Sequence, residues 1–333
     1  MTEKTETRAK YWKKENNGNT RCLLCPRGCL ILPGEKGNCL TRLNRGGELF
    51  TLNYGYFCAS VDPVEKKPLF HWKPGTEIFS VGTFGCNLFC PFCQNAHLAR
   101  SETPTGLKYL SPNGFSSLVR DSGQSSVAFT YNEPSVWFEF ILDISEPLKK
   151  YGADIVLVTN GFISPDPLEE LLDITGAMNI DLKGFYPRTY EKLGGSVGPV
   201  LHSIKRAVER GIHLEITHLV VPGINDSLEE FLSLTRWISG LSNNIPLHIS
   251  RYFPSWQWQE PPTLLQEIRK RKEIASRYLN FVYTGNTGEK NDTFCPSCGK
   301  LVITRDYGCS VKTIATSEGN CPFCKTPLGI VTR

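Results

Sequence analysis

Short apolar runs alternate with amphipathic stretches through the middle of the chain, from about Pro68 to Gly285. The runs are rich in β-branched and aromatic residues and are bounded by Gly, Pro, Asn and Asp, which favours strands. In chain order the predicted strands are EIFSVG, SSVAFTY, DIVLVTN, AMNIDL, HLEITHLVV and IPLHIS, with FVYTG as an extra terminal strand. Their alternation with helical stretches predicts βα units around a parallel sheet.

The stretches between these runs carry apolar residues at helical spacing. The clearest predicted helix covers residues 135–151, where a core-facing stripe follows the 3.6-residue period: Val136, Phe140, Ile141, Ile144 and Leu148. Six βα units predict an α/β fold built on a partial, open, TIM-like (β/α)6 barrel. No internal repeat or low-complexity segment interrupts this pattern.

The two flanks of this region differ from it in pattern. Residues 1–20 are polar and predict a disordered start, and residues 21–67 contain few long apolar runs. The barrel is predicted over residues 68–290, and residues 291–333 form the second flank. A segment of about fifty residues without long apolar runs can hardly build its own core, so we expect a bound metal to stabilise the N-terminal flank.

Four cysteines of the N-terminal flank have the spacing of metal ligands. The C-x2-C-x3-C-x9-C pattern, punctuated by Pro and Gly, is formed by Cys22, Cys25, Cys29 and Cys39. Four thiolates saturate a tetrahedral zinc ion and also suit an auxiliary iron–sulfur cluster. Ligand type does not separate the two, and zinc is the preferred interpretation. Unligated thiols are the remaining alternative.

The C-terminal flank contains two cysteine knuckles. CPSCGK and CPFCKT form paired C-x2-C motifs separated by a short β-rich stretch, with ligands Cys295, Cys298, Cys321 and Cys324. This pattern predicts a zinc ribbon, with a further iron–sulfur cluster as the alternative. Cys309 lies between the knuckles and is expected to be a spectator.

Composition narrows the classes of function. The 333 residues are 40% hydrophobic, and the formal charge of +4 is far from the balance of a dedicated nucleic-acid binder, so nucleic acid is a disfavoured partner. Twelve of the thirteen cysteines, counting Cys309, fall into three clusters with metal-type spacing, which argues against a disulfide framework. Cys58 is left over and is expected to be an inert core thiol.

Targeting signals are lacking in this sequence. The first residues are charged and have no apolar h-region, and no stretch approaches the roughly 20 apolar residues of a membrane span. We therefore expect no membrane association and a reducing, cytoplasmic compartment.

The strongest chemical pattern is the loop GCNLFCPFCQN, which spaces Cys86, Cys90 and Cys93 as C-x3-C-x2-C. Three thiolates can hold a cubane [4Fe–4S] cluster and leave one iron without a protein ligand, and an open iron is a place for chemistry. The loop follows the predicted strand EIFSVG, at the kind of strand end where α/β barrels build active sites. Half a zinc site or a disulfide-forming loop are the alternatives, although zinc knuckles have other spacings.

This spacing after a first strand resembles the motif of the radical S-adenosylmethionine (SAM) superfamily. Together with that loop, further blocks resemble, in order, the AmmeMemoRadiSam-system radical SAM enzymes, relatives of the pyruvate formate-lyase activating enzymes: VEKKPLFHWKPG, TYNEPS, TNGF, NIDLKGF, VVPGIND, LHISRYFP and VYTGN. The resemblance covers roughly residues 21–286. It implies a radical SAM barrel, a [4Fe–4S] cluster, SAM, and an external electron donor of the flavodoxin or ferredoxin type.

In that family an electron from the reduced cluster cleaves SAM to a 5′-deoxyadenosyl radical, which abstracts hydrogen from the substrate. TYNEP is similar to the Gly-Gly-Glu-Pro motif of the activating enzymes, which implies that Glu133 holds the SAM amino group. Tyr131 and Asn132 replace the two glycines, so close backbone approach is lost and Asn132 is expected to contribute hydrogen bonds. Alternatively, Glu133 merely begins a helix.

TNG and DLK close the third and fourth predicted strands. The resemblance places contacts to the SAM ribose and carboxylate at these strand ends, on Thr159, Asn160, Asp181 and Lys183. In the alternative interpretation Asp181 and Lys183 form a surface ion pair.

LHISR closes the sixth predicted strand. The resemblance places His248 in register with a histidine near the adenine of SAM, and Arg251 is a candidate anion contact. A satisfied core histidine is the alternative for His248. The turn at residues 220–223 either lets backbone approach adenine or simply ends a strand.

We expect a radical SAM enzyme that abstracts hydrogen from an unidentified substrate, with a protein favoured over a free metabolite. Two other functions are compatible with the sequence. One is an activase that installs a glycyl radical in a partner protein, and the other is a non-enzymatic adaptor that reads RNA through zinc ribbons. Turnover of SAM separates the two enzymes from the adaptor, and no transferable motif names the substrate.

Overall fold

The structure is a computed structural model that describes residues 7–306 and 311–332. Cys309, the predicted spectator, lies outside the described residues. The strands, in chain order, are β1 (Thr7–Arg8), β2 (Trp12–Lys14), β3 (Thr20–Cys22), β4 (Leu30–Ile31), β5 (Arg42–Arg45), β6 (Glu48–Thr51), β7 (Tyr56–Pro63), β8 (Glu77–Gly82), β9 (Lys108–Tyr109), β10 (Ser126–Phe129), β11 (Asp154–Thr159), β12 (Thr175–Asp181), β13 (His213–Val220), β14 (Leu247–Arg251), β15 (Val282–Gly285), β16 (Thr293–Phe294), β17 (Leu301–Arg305) and β18 (Val311–Thr313).

The helices lie mainly between the strands of the central sheet. They are α1 (Ala96–Ala99), α2 (Pro112–Ser122), α3 (Phe138–Lys150), α4 (Pro165–Leu172), α5 (Pro187–Lys192), α6 (Val197–Glu209), α7 (Leu228–Leu241) and α8 (Leu265–Ala275), with 3-10 turns at Asn16–Gly18, Val64–Lys66 and Pro134–Trp137. The helix predicted over residues 135–151 is therefore a 3-10 turn followed by α3.

The central sheet has nine strands in the order β15-β14-β13-β12-β11-β10-β8-β7-β9. β8 and β10 to β15 run parallel, and sequence neighbours pair with one another, as right-handed βα units require. β7 and β9 extend the β8 side in antiparallel fashion. Because β15 and β9 are the two edges, the sheet stays open, and the predicted α/β partial barrel is confirmed.

The two faces of the parallel sheet pack against different cores, because side chains alternate along each strand. Outward-facing residues such as Val127, Leu157 and Ile216 pack in the large core beneath the helices. Inward-facing residues form a second, smaller cluster with the chain that precedes β8: Val64, Leu69, Trp72, Ile78, Ala128, Val156 and Ala177.

The start of the chain is ordered where the structure describes it, which corrects the prediction of disorder over residues 1–20. β1 pairs with β6, and β2 pairs with β3. The backbone N–H of Lys10 donates to the Glu139 carboxylate of α3 at 2.7 Å, and Tyr11 packs edge-on against Phe138 at 5.4 Å. These contacts with a barrel helix supply the burial that the polar sequence does not reveal.

The strand β7 changes the boundary between the first flank and the barrel. It lies inside the range 21–67 that was predicted as a separate segment, yet its residues 58–63 pair antiparallel with the whole of β8. The central sheet therefore begins before residue 68. The remaining strands of this flank form two small sheets, β2-β3-β4 and β1-β6-β5.

The chain before β8 fills the amino end of the barrel, and we call residues 68–73 the amino-end plug. The backbone N–H groups of Phe70 and His71 donate to the Glu215 carboxylate of β13 at 3.0 and 2.7 Å. The Pro68 carbonyl accepts from the Asn179 amide of β12 at 2.7 Å. The plug is therefore held by side chains that point into the barrel.

The C-terminal flank fastens the same plug from outside. Its strands β16-β17-β18 form a separate sheet. The backbone N–H of Val331 donates to the His71 carbonyl at 2.7 Å, and the backbone N–H of Lys73 donates to the Val331 carbonyl at 2.7 Å. The Arg305 guanidinium donates to the Phe70 carbonyl at 2.6 Å. Both flanks therefore pack against the barrel and do not form isolated modules.

Within the part of the chain that the structure describes, no helix combines the length and the apolar character that crossing a bilayer requires.

Candidate functional site

The C-x3-C-x2-C loop leaves the carboxyl end of β8, as predicted. It carries Cys86, Cys90 and Cys93, which are all partly buried free thiols. Just before them, Gly85 adopts φ +90, and a Cβ there would lie 2.5 Å from the Cys39 carbonyl oxygen. Only glycine fits this close approach, so the loop is packed directly against the N-terminal four-cysteine segment.

Other backbone contacts fix the shape of the cysteine loop. The Arg100 guanidinium donates to the carbonyls of Cys86 and Leu88 at 2.6 and 2.9 Å. From the connection between β14 and α8, the Ser255 hydroxyl donates to the Cys93 carbonyl at 3.2 Å. The loop is thus held from both sides before any ligand binds.

The environment of these thiols disfavours bare thiolates. Burial raises the pKa of Cys86 to about 12 and that of Cys90 to about 11, and it also raises the pKa of Cys93. A buried thiolate needs positive charge beside it, and bound iron supplies that charge. Without such a charge these thiols favour the protonated form, so none of them is an activated nucleophile.

Glu133 follows β10 and is buried, with both carboxylate oxygens in use. Oε1 accepts from the Ser135 N–H at 3.0 Å and from the Thr159 hydroxyl at 2.7 Å, while Oε2 accepts from the Asn160 N–H at 2.8 Å. Burial raises the pKa of Glu133, although these three donors oppose the rise. Glu133 therefore fixes the TNG turn, and its contact with the SAM amino group stays a prediction.

Asn160 brings the TNG turn against the cysteine loop. Its side-chain amide nitrogen lies 2.9 Å from Asn87 Oδ1 and 3.8 Å from Cys86 Sγ. Its own Oδ1 accepts from the Phe162 N–H at 2.8 Å, which fixes the orientation of the amide. The structure thus places this predicted residue beside a predicted cluster ligand.

Asn132 and Tyr131 stand where the related motif has glycines. Asn132 donates to the Gly85 carbonyl at 2.8 Å and accepts from the Thr83 N–H at 2.9 Å, so it supports the start of the cysteine loop. Tyr131 keeps a glycine-like backbone, with φ +72, at a cost of about 1 kcal/mol. Its hydroxyl donates to Asp62 at 3.1 Å, which helps to hold this conformation.

Asp181 and Lys183 form an ion pair at the end of β12, with Nζ and Oδ2 3.0 Å apart. Burial opposes the charge on Lys183, but Asp181 and Cys90 outweigh it and raise the pKa of Lys183. Lys183 also lowers the pKa of Cys90, against the larger effect of burial. The pair therefore lies beside the cysteine loop, which favours the functional interpretation over a surface ion pair.

His248 is not at the strand end where the sequence placed it. It is the second residue of β14, and its Nε2–H donates to the Glu215 carboxylate at 2.7 Å. Its ring meets Phe70 edge to face at 4.7 Å. This corrects the predicted position, because the ring packs against the amino-end plug. The geometry matches the alternative of a satisfied core histidine.

Arg251 does end β14. Its Nε–H donates to the Thr263 carbonyl at 2.7 Å, and its guanidinium stacks over Phe253 at 4.7 Å. An anion contact for Arg251 stays a prediction. At the neighbouring turn, the Pro222 carbonyl accepts from the Trp258 indole N–H at 3.0 Å, so this turn also supports the connection after β14.

Two features of the site region were missed in the sequence. Residues 252–264 cover the cysteine loop, but their composition is that of an ordinary connection. Glu215 organises the amino-end plug, and here a signal was available, because a carboxylate interrupts the otherwise apolar start of HLEITHLVV. A charged residue at an inward strand position indicates a buried partner.

The C-terminal knuckles come together as a compact quartet. Cys295 and Cys324 Sγ lie 3.5 Å apart, and Cys298 and Cys321 Sγ lie 3.7 Å apart. All four sulfurs lie within 4.8 Å of one another, as ligands of a single metal ion would. The Thr326 hydroxyl helps to lower the pKa of Cys324 to about 6, which favours the metal-binding thiolate.

The four N-terminal cysteines line one partly open cavity next to the site. Burial raises the pKa of Cys22 to about 11 and that of Cys25 to about 12. None of the cysteines in the described residues forms a disulfide.

Comparison with known proteins identifies the family. The model of the Radical SAM superfamily matches residues 80–235, which include the cysteine loop and the TNG and DLK strand ends. An uncharacterized protein of Methanocaldococcus jannaschii is 34% identical over 335 residues, covering 97% of this chain and 99% of that protein. The chain belongs to the radical SAM superfamily.

Two further similarities concern an enzyme sequence and a solved structure. The pyruvate formate-lyase-activating enzyme of Clostridium pasteurianum is 26% identical over 163 residues, covering 48% of this radical SAM protein and 68% of that enzyme. A crystal structure of a radical SAM methyltransferase from Sphaerobacter thermophilus matches with a TM-score of 0.50 and 15% identity, covering 89% of this chain and 81% of that one. At this identity the structural match supports the fold alone.

The donor set of this radical SAM protein fits the groups that the superfamily uses. Three thiols on one loop suit a cubane cluster with one open iron. Among the described residues, these thiols are not drawn together within 4.8 Å of one another as the four C-terminal thiols are. Asn160, Asp181 and Lys183 lie beside them and offer the hydrogen bonds and charges that an amino acid moiety requires.

Proposed function

We propose that this protein holds a [4Fe–4S] cluster on Cys86, Cys90 and Cys93, binds SAM at the open iron, and cleaves SAM reductively to remove hydrogen from a substrate. The observation that carries the proposal is the position of this loop at the carboxyl edge of the parallel sheet, with Asn160 3.8 Å from the Cys86 sulfur. The bound cluster supplies the electron for SAM cleavage, and the chain supplies position.

The residues around the loop divide this work. Lys183 and Asp181 carry opposite charges beside Cys90 and suit the carboxylate and ribose of SAM. Glu133 acts by fixing Thr159 and Asn160. An apolar cluster next to Cys90 excludes water and competing hydrogen donors from the same edge: Phe92, Leu193, Val221, Ile224 and Tyr252.

The substrate and the electron donor belong to the proposal in general terms. Radical SAM enzymes take electrons from an external donor, and we propose a flavodoxin or ferredoxin. The similarity to the pyruvate formate-lyase-activating enzyme covers about half of this chain, so it supports shared cofactor chemistry more than a shared target. We propose a protein substrate because two flanking modules bracket the barrel, and a cytoplasmic location because the described cysteines are free thiols.

For the C-terminal quartet we propose a structural zinc ion. With Zn–S bonds of about 2.3 Å, a tetrahedral ion holds its sulfurs roughly 3.8 Å apart. The observed separations of 3.5 and 3.7 Å agree with this spacing. Four thiolates leave no open position, so this site stabilises the module that fastens the plug.

The test is SAM cleavage by anaerobically reconstituted full-length protein. With dithionite as reductant, we expect 5′-deoxyadenosine and methionine in the absence of any substrate. The Cys86→Ser, Cys90→Ser, Cys93→Ser triple variant should form neither product, while Cys58→Ser should match the wild type. Cleavage by the triple variant at the wild-type rate would refute the assignment, and an inactive, iron-loaded wild type would favour the adaptor function.

A further inference from the structure

The N-terminal flank borders a partly open cavity whose walls carry four sulfur atoms. The cavity is lined by Cys22, Cys25, Cys29 and Cys39. Apolar side chains complete much of the wall, among them Leu24, Ile31 and Val136. Thiols that converge on a shielded space point to a bound inorganic group, because thiolate is a strong ligand for soft metals.

The spacing of the sulfurs separates the two groups that four thiolates can bind. The C-terminal quartet is drawn together for a single ion, with sulfurs 3.5 and 3.7 Å apart. Among the described residues, no three of the N-terminal sulfurs lie within 4.8 Å of one another. A cubane binds each thiolate through a different iron, so its ligands stand roughly 6 Å apart around a central space.

A buried cation faces the same cavity. The Arg42 side chain is 1% exposed and donates through Nη1 to the Glu139 carboxylate at 2.7 Å. Its Nε and Nη2 have no hydrogen-bond partner among the described residues. Buried guanidinium donors are usually paired, so these two nitrogens are available to an anionic group bound in the cavity. A cubane with four thiolate ligands carries net negative charge and sulfide acceptors.

The cavity adjoins the catalytic cysteine loop. Asn87, the residue after Cys86, lines the cavity and also accepts from Asn160 at 2.9 Å. The Arg27 guanidinium, on the other wall, donates to the Asn87 carbonyl at 2.6 Å. The backbone of Cys39 packs on Gly85, as described above. Asn87 therefore belongs both to the wall of the cavity and to the loop that is proposed to hold the open iron.

We propose that this cavity binds a second [4Fe–4S] cluster, ligated by Cys22, Cys25, Cys29 and Cys39, and not the zinc ion that the sequence favours. All four irons have a protein ligand, so this cluster cannot bind SAM. Its chemistry is limited to stabilising the N-terminal flank and to accepting or donating one electron beside the catalytic loop.

The experiment counts metals in a variant that lacks the catalytic cluster. Full-length Cys86→Ser, Cys90→Ser, Cys93→Ser protein is reconstituted anaerobically, and iron, acid-labile sulfide and zinc are measured per chain, with Cys58→Ser as the control. We expect about four irons and four sulfides to remain, together with about one zinc. The dithionite-reduced cluster should give an electron paramagnetic resonance signal that added SAM leaves unchanged.

Adding Cys25→Ser and Cys29→Ser to the triple variant should remove the remaining iron and leave the zinc. Iron that persists in this five-fold variant would place the cluster elsewhere, and a triple variant with no iron and about two zinc ions would refute the proposal. If the five-fold variant does not fold, the metal count of the triple variant still decides. The result is independent of SAM cleavage, so failure here is distinguishable from failure of the proposed function.

Discussion

The two ends of the parallel sheet use buried carboxylates differently. At the amino end, Glu215 accepts from two backbone N–H groups of the plug and from His248, and it lies 3.1 Å from His213 Nε2. At the carboxyl end, Glu133 accepts only from neutral donors, and burial raises its pKa. Burial also acts on Glu215, yet the two histidines and their charge hold the pKa of Glu215 well below its usual range.

This difference separates stability from chemistry along the same strands. The amino end is held by many internal hydrogen bonds and is closed by the C-terminal flank. The carboxyl end keeps thiols of raised pKa, a strained residue at Tyr131, and polar side chains beside them. Barrel enzymes place their reactive groups at the carboxyl ends of strands, and the fold then rests on the opposite end.

The largest expected effect is a loss of SAM cleavage after a change at the carboxyl end, with little change in stability. Cys90→Ala should lower SAM cleavage at least about 1,000-fold, because a cluster iron loses its ligand, a loss equivalent to roughly 4 kcal/mol. The melting temperature should change little, since the amino end is intact. Product analysis and thermal denaturation measure the two outcomes, with Cys58→Ala as the control. A matching collapse of stability would show that the ends are not separable.

Glu215→Gln, at the amino end, should lower stability and leave SAM cleavage nearly unchanged. Losing this buried charge leaves the histidines and the plug without their partner, and we expect a destabilisation of about 3–5 kcal/mol. Denaturant unfolding measures the change, and cleavage per folded, iron-loaded molecule should stay near the wild-type value. A stable variant with poor cleavage would mean that Glu215 serves the chemistry.

Glu133→Gln should affect both quantities, because Glu133 fixes the TNG turn, whose Asn160 contacts the cysteine loop. Charge-assisted hydrogen bonds contribute about 1.5–3 kcal/mol each, so we expect a moderate loss of stability. Cleavage should fall about 10- to 100-fold, as for supporting residues of metal sites. Glu146→Gln on α3 is the matched control, because its side chain is 70% exposed and pairs only with Lys150 among the described residues.

Glu139 would be an unsuitable control for the Glu133 experiment. The sequence placed it on the helix after TYNEP, and it does lie there in α3, but its carboxylate is buried and bonds to Arg42 and to the Lys10 backbone. Removing Glu139 would disturb the N-terminal flank and would mimic a functional loss.

The smallest expected effect is a pH dependence of the amino end. Burial lowers the pKa of His71 to about 3, so the folded protein keeps this ring neutral where the unfolded chain binds a proton. The stability that depends on this neutral ring is complete about one pH unit above 6.5 and is lost as the pH falls from there toward 3. At pH 5.5 the loss amounts to about 1.4 kcal/mol.

Anaerobic thermal denaturation between pH 7.5 and 5.5 measures this effect. His71→Gln should flatten the pH profile, whatever it does to the stability at neutral pH. His202→Gln, which changes an exposed histidine, should leave the profile unchanged. An unaltered profile in His71→Gln would assign the acid sensitivity to other groups.

The strands could be predicted because each is a short apolar run with clear boundaries, and the central cysteines because their spacing is specific. β7 was missed as part of the sheet, since antiparallel pairing across a connection has no local pattern. His248 was wrongly placed at the end of its strand for a similar reason. Its hydrogen bond with Glu215 of the neighbouring strand has no local pattern in the sequence. The order of residues 7–20 depends on Glu139, which no local pattern reveals.

The metal sites also show what the sequence alone could not predict. Both flanks have four cysteines, and spacing along the chain indicates metal binding in each. The choice between one ion and a cluster depends on how far apart the backbone holds the sulfurs, which is a property of the fold. Arg42 faces the N-terminal cavity, but its local sequence does not distinguish it from any other arginine in a strand.

The hydrogen bond from His71 to the Leu328 carbonyl joins residues 257 positions apart. During translation the plug is synthesised long before the C-terminal flank that fastens it. The barrel cysteines of the nascent chain are therefore synthesised before the amino end can be closed. Forming such a distant contact costs more chain entropy than closing any βα unit. We therefore expect folding of this protein to have an order in time, with the sheet assembled first and the plug fastened last.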